Sequence, residues 1–108
     1  IGAVFNTHHG TTNAVCMPAV LALNAPVIRG RFDRATSYLG IEGGFDGFCE
    51  FVQVFNDQFA IPRRLSDMGV TSERLDDLVA MALQDPSCGG NPVQLTADNL
   101  RALFESCI

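Results

Sequence analysis

Apolar residues recur at intervals of three and four along almost the whole chain, and nowhere do they alternate by twos over the length of a strand. That spacing commits the backbone to helices, because a 3.6-residue period brings positions three and four apart back to one face. The sharpest instance is Leu75, Leu78, Val79, Ala82 and Leu83. Thr71 or Ser72 is placed to cap that helix, Glu73 suits its positive N-terminal end, and Asp85-Pro86 stops it. Phe45, Phe48, Val52, Phe55 and Phe59, with Phe51 beside them, make a second stripe that reads as core and ends at Ile61-Pro62. A last helix, capped by Thr96, turns Leu100, Leu103, Phe104 and Cys107 inward.

The front of the chain is less regular. From Gly10 to about Leu23 the run through Ala14, Val15, Met17 and Leu21 reads as a buried helix with Pro18 in its middle. Proline lacks the amide donor and clashes one turn back, so Pro18 either kinks this helix or opens a second one. Ala25-Pro26 predicts a break near Asn24. Arg31 to Leu39 then forms a short helix with Phe32, Ala35 and Leu39 on one face, stopped by Gly40, and Arg63 to Met68 gives one or two turns before Gly69. The expected fold is all-α: a single domain over 1–108, a bundle of five or six helices without repeats or linkers.

At 108 residues, one domain is the natural count. Hydrophobic residues make up 47% of the chain, which excludes disorder. It is a high share for a small chain covering its own core, as in a domain with a face meant for another domain or subunit, or simply in an oily small domain. The net charge of -5, with seven Lys and Arg and no basic cluster, argues against nucleic acid as a partner. Cys16, Cys49, Cys88 and Cys107 lie far apart without a CxxC pair, and read as small core hydrophobes in a reducing, cytoplasmic setting. No uninterrupted apolar run approaches the roughly 18–20 residues of a membrane span, so no membrane partner is expected. A chain that begins at Ile1, already inside an apolar segment, reads as a cut start.

Chemistry concentrates in Asn6-Thr7-His8-His9-Gly10-Thr11-Thr12-Asn13-Ala14, followed by Pro18 and Asn24. A neutral imidazole ligates divalent Fe, Zn or Ni, Gly10 admits close approach of backbone, and nearby helix N-terminal amides discourage protonation. The competing reading of His9 is a surface or capping histidine, since no HExxH and no histidine at i+4 accompany it. A structural zinc wants four protein ligands and a catalytic one about three plus water. Two histidines, with cysteines on apolar helix faces, do not amount to a self-contained site. Ser87-Cys88-Gly89-Gly90-Asn91-Pro92 is either a substrate or phosphate turn or a plain helix connection. It lacks GxGxxG and the P-loop lysine. The serines have no GxSxG context, and Asp76 and Asp77 read as a solvated helix face.

The opening Gly2-Ala3-Val4-Phe5-Asn6-Thr7-His8-His9-Gly10, with Asn13-Ala14, Pro18 and Asn24, resembles the C-terminal helical domain of the iron-containing (group III) alcohol dehydrogenases. Ile61-Pro62, Leu65 to Gly69, Ala80 to Asp85, Gly89-Gly90-Asn91-Pro92 and Thr96 to Leu100 follow that family's order, so the resemblance spans the chain. It implies a two-domain enzyme with Fe or Zn between the domains, held by one aspartate and three histidines. The last of those histidines precedes a glycine and corresponds to His9, with His8 where proline is common. The other ligands are expected upstream of Ile1, together with the nucleotide-binding domain that grips NAD(P). The resemblance further implies that Ser87 and Cys88 border the substrate pocket, although relatives often carry cysteine at the Ser87 position. The implied chemistry is hydride transfer between an alcohol or aldehyde and a nicotinamide, with the metal acting as Lewis acid, in a homo-oligomer. The chain alone is expected to be inactive, with no catalytic or cofactor-binding residues of its own. Glycerol dehydrogenases and maleylacetate reductases share this architecture. A reading from a different class is a stand-alone helical interaction module without catalysis.

Overall fold

The computed structural model describes all 108 residues and contains helices and turns but no strand. Five α-helices follow in order: α1 (Gly2–Phe5), α2 (His9–Leu39), α3 (Gly44–Gln58), α4 (Leu75–Gln84) and α5 (Ala97–Cys107). Short 3-10 turns at Leu65–Met68, Ser72–Arg74 and Pro86–Gly90 join them. The all-α fold and the helix count agree with expectation, but the partition of the first half does not.

Gly10 to Leu39 is not two helices broken near Asn24. It lies within one 31-residue helix that runs through both Pro18 and Pro26. Each proline frees the carbonyl four residues back, and the structure deals with both. The Ala14 carbonyl, denied a donor by Pro18, accepts the Asn56 side-chain amide from α3 at 2.9 Å. The Ala22 carbonyl, denied one by Pro26, belongs to an exposed residue open to water.

A four-residue connection turns α2 back on itself, with Gly40 ending the helix in the left-handed region at φ 69°. The hairpin is antiparallel: Asp33 of α2 accepts the Phe45 amide at 2.8 Å, Arg29 pairs with Asp46, and Asn56 reaches Ala14. Gly43 caps α3 without a side chain, so the Asp33 carboxylate satisfies one of its orphan amides from across the hairpin. A side chain at Gly47 would collide with the backbone carbonyl of Glu42, which is why the connection can lie on the first turn of α3.

The core forms where the first half of α2 meets the 65–70 segment, α4 and α5. Leu65 and Val70 are fully enclosed there, with Val15, Leu78, Val79, Leu100 and Phe104 around them. Leu75, Leu78 and Val79 face inward as their spacing requires, but Leu83 is 44% exposed. Thr71 opens the 3-10 turn ahead of α4 without a side-chain cap, whereas Thr96 makes a full capping box with Asn99. Of the cysteines, Cys107 is buried and Cys16, Cys49 and Cys88 are half-buried, all as free thiols. Cys16 meets Cys107 where α2 lies on α5. The bond to Cys107, then burial, push the Cys16 thiol up.

The phenylalanine stripe is the main departure. Phe45 is buried and Phe48 and Val52 are half-buried, but Phe51 and Phe55 are about half exposed and Phe59 is 64% exposed, so half of the stripe is surface and not core. Rings stack along it from Phe32 through Phe48, Phe51 and Phe55 to Phe59, with centroids 4.7–6.2 Å apart. On the neighbouring helix, Ala35 is exposed and Leu39 is 65% exposed, while Phe32 is half-buried. By length and composition α2 is the one helix able to cross a bilayer. Of its buried polar residues, Asn24 bonds across to Asn91, Thr36 bonds back to its own helix, and Thr12 bonds to the residues just before it.

Candidate functional site

The histidine pair sits where α1 hands over to α2. Asn6 closes α1 in the left-handed region, and His8, extended at φ -67° and ψ 125°, becomes the N-cap of α2. Its Nδ1 accepts from the Thr11 amide at 3.4 Å and lies 3.3 Å from the Thr11 hydroxyl. A Cβ at Gly10 would come within 3.3 Å of the His8 ring, so glycine makes room for this cap. The buried Thr12 hydroxyl ties the turn together, bonded to the Thr7 hydroxyl at 2.7 Å and the His8 carbonyl at 2.9 Å. Of the two adjacent histidines, His8 is the capping one.

His9 is the first residue of α2 and is exposed. Its Nε2 lies 3.0 Å from the Asn13 side-chain nitrogen, one turn on. An amide nitrogen can only donate, so in this arrangement the Nε2 lone pair is turned to Asn13, and a metal at that atom would displace the contact. One donor does not hold a metal, however. No three His, Cys, Asp or Glu side chains converge anywhere in the chain, so these residues by themselves do not fit an Fe or Zn ion.

The second candidate region is the turn after α4. Asp85 caps it, its Oδ1 accepting the Ser87 amide at 2.8 Å, and that bond holds the carboxyl below the usual carboxylate range. Ser87 is exposed. Cys88 is half-buried, donates its thiol to the Ala82 carbonyl at 2.6 Å, and lines a cavity of about 340 Å³ with Leu83, Asn91, Gln94 and Leu95. Ser87 and His9 do not line this cavity. A smaller cavity of about 200 Å³ lies between Pro18, Asn56, Arg63 and Cys107.

The sequence pattern missed the contact that holds this turn. Asn24, expected at a helix break, is 4% exposed in mid-helix, and its carboxamide pairs reciprocally with that of Asn91, 67 positions away. The only local cue was a polar residue inside the apolar run Leu21 to Ala25.

Known proteins resemble the chain in sequence along its whole length. The profile described as Fe-containing alcohol dehydrogenase family, C-terminal, matches residues 1–108. Lactaldehyde reductase of Escherichia coli strain K12 is 30% identical over 98% of the chain, which covers 30% of that protein. The 4-hydroxybutyrate dehydrogenase of Cupriavidus necator is 36% identical over 91% of the chain and 26% of its own length. The NADPH-dependent butanol dehydrogenase of Clostridium saccharobutylicum is 27% identical over 96% of the chain and 29% of its own length. The chain thus spans about 30% of the length of the curated relatives it matches. With the match running from the first residue to the last, the chain belongs to the iron-containing alcohol dehydrogenase family and corresponds to its C-terminal part.

Proposed function

We propose that these residues form the C-terminal portion of a metal-dependent alcohol dehydrogenase that interconverts small alcohols with aldehydes or ketones, using NAD(P). The observation that carries the reading is the family match over residues 1–108, with an exposed imidazole, His9, at its front. In this reading His9 supplies one nitrogen to an Fe or Zn ion whose other ligands come from the rest of the polypeptide. The turn at Ser87 and Cys88 walls the substrate pocket, and the nicotinamide is held by a nucleotide-binding domain outside these residues. The exposed ring ladder on α3 suits a chain that packs against more protein, whether the remainder of the same polypeptide or a second subunit of a homo-oligomer. Location is cytoplasmic, and neither nucleic acid nor membrane is a partner.

The decisive test is His9→Ala in the full-length enzyme. Metal per subunit, measured by elemental analysis, drops sharply while helix content is retained, and an unchanged metal content refutes the ligand role. Titration of Fe or Zn into the isolated 108-residue chain gives no tight one-to-one binding, and the isolated chain oxidises no alcohol. Tight stoichiometric binding there refutes the account of a shared site.

A further inference from the structure

The turn that carries Ser87 and Cys88 has few attachments. Asp85 to Ser87 and Cys88 to Ala82 are local bonds to the end of α4. Beyond α4, the side-chain hydrogen bonds that link residues 86–92 to another element all run to one side chain, Asn24 of α2. Asn24 Nδ2 donates to Asn91 Oδ1 at 2.9 Å, and Asn91 Nδ2 donates to Asn24 Oδ1 at 2.8 Å. Asn24 Oδ1 also accepts the Val93 amide at 3.1 Å, and Asn91 Nδ2 also donates to the Val93 carbonyl at 2.7 Å. The result is a closed ring of four bonds around a nearly inaccessible carboxamide, with no buried side-chain polar atom left unpaired.

Only a carboxamide pair closes this ring, since each partner must donate and accept at once. An aspartate at position 24 is nearly isosteric but turns a donor into an acceptor that faces Asn91 Oδ1. Asn91 itself lines the cavity beside Cys88, so the position of the clasp sets one wall of that cavity. Pro92 follows Asn91 and stiffens the chain at the same point.

We propose that Asn24 and Asn91 are positioning residues. Their carboxamide clasp anchors the 86–93 turn to α2 and thereby fixes one wall of the cavity beside Cys88, which in the proposed function is the far end of the pocket for the carbon chain of the alcohol. The substrate half of this inference rests on the proposed dehydrogenase function, whereas the anchoring half does not. A displaced wall weakens ground-state and transition-state binding of the substrate alike, which raises KM and leaves kcat in place.

The test uses the full-length enzyme with Asn24→Leu, which removes the acceptor of the Val93 amide together with the donor to Asn91, and the smaller Asn24→Ala as a second variant in case the buried substitution does not fold. Hydrogen exchange is read at Val93 and across 86–93, KM and kcat are measured for straight-chain primary alcohols of increasing length, and metal content is assayed. Expected is exchange at the turn about tenfold faster, the scale of one or two lost neutral hydrogen bonds. KM for the longer alcohols rises about tenfold with kcat within about threefold, and metal content is unchanged. Unaltered exchange at Val93 overturns the clasp. Faster exchange with unaltered KM overturns its role in shaping the pocket, as does a fall in kcat with KM unchanged. A parent enzyme inert toward every alcohol sinks the dehydrogenase reading and the substrate half with it, while the exchange data still decide the anchoring.

Discussion

The continuity of α2 through Pro18 predicts a thermodynamic coupling between two residues that belong to different helices. Asn56 of α3 gives its side-chain amide to the Ala14 carbonyl because Pro18 cannot. In Asn56→Ala that carbonyl loses its donor at a half-buried site, and the loss of a partner there costs about 1–2 kcal/mol. The backbone carbonyl of Asn56, which accepts from Phe59 and Ile61, is unaffected. For a domain of about 100 residues this lowers Tm by about 5–15 °C. In a Pro18→Ala background the amide of residue 18 takes over the Ala14 carbonyl as an ordinary helical bond. Asn56→Ala then costs less than about 0.5 kcal/mol. Urea unfolding of the four proteins of the cycle, followed by circular dichroism, measures the coupling directly, and about 1 kcal/mol is expected. Equal costs of Asn56→Ala in both backgrounds refute the reasoning, because they show that the amide serves something other than the carbonyl orphaned by proline.

Leu65→Ala, at a site with no exposure, lowers stability by about 2–5 kcal/mol by the same denaturation assay. Thr96→Ala removes the capping box of α5 and costs about 1 kcal/mol, whereas Thr71→Ala, which removes no side-chain cap, is close to neutral. Gly47→Ala drives a methyl into the Glu42 backbone and costs about 1–3 kcal/mol, read as a lower urea midpoint with unchanged slope. The Asp85 carboxyl is depressed by its bond from Ser87, so its contribution to the order of the turn is present above the unfolded carboxylate range. That contribution is lost as pH falls through the lower folded value. Amide protection at Ser87 therefore declines on acidification in the parent and is flat in Asp85→Asn over the same range.

Much of the fold was legible because most of it is local. The α4 and α5 faces follow from spacing alone, and Thr96 with Asn99 three residues on is a cap readable in one turn of sequence. What failed was whatever depended on a partner far along the chain. Pro18 spoke for a kink or a second helix because local chemistry offers no donor for the carbonyl it frees at Ala14. Asn56, 42 residues beyond Ala14, supplies one. The Phe45 to Phe59 stripe has the period of a buried face, and period says only that one side is apolar. Whether protein covers that side depends on what surrounds it. The high apolar fraction had left open a face meant for a partner or an oily small domain, and exposed Phe51, Phe55 and Phe59 give that surplus a location.

The candidate site divides along the same line. His9 was conspicuous because a histidine before glycine ahead of an apolar helix is a pattern contained in a few residues. The carboxamide clasp was invisible because, although both asparagines stand in segments singled out above, nothing local to either says that the two side chains meet 67 positions apart. Yet the two features are joined by the continuity that the prolines seemed to forbid. Asn24 lies fifteen residues along α2 from His9, about 22 Å at the usual rise per residue. A helix interrupted at Asn24 would leave the imidazole and the 86–93 turn free to move independently. A single helix, with one orphaned carbonyl bonded to Asn56 and the other open to water, makes that separation a fixed length. The residues that keep α2 whole therefore also set where the His9 imidazole stands relative to the 86–93 turn, without touching either one.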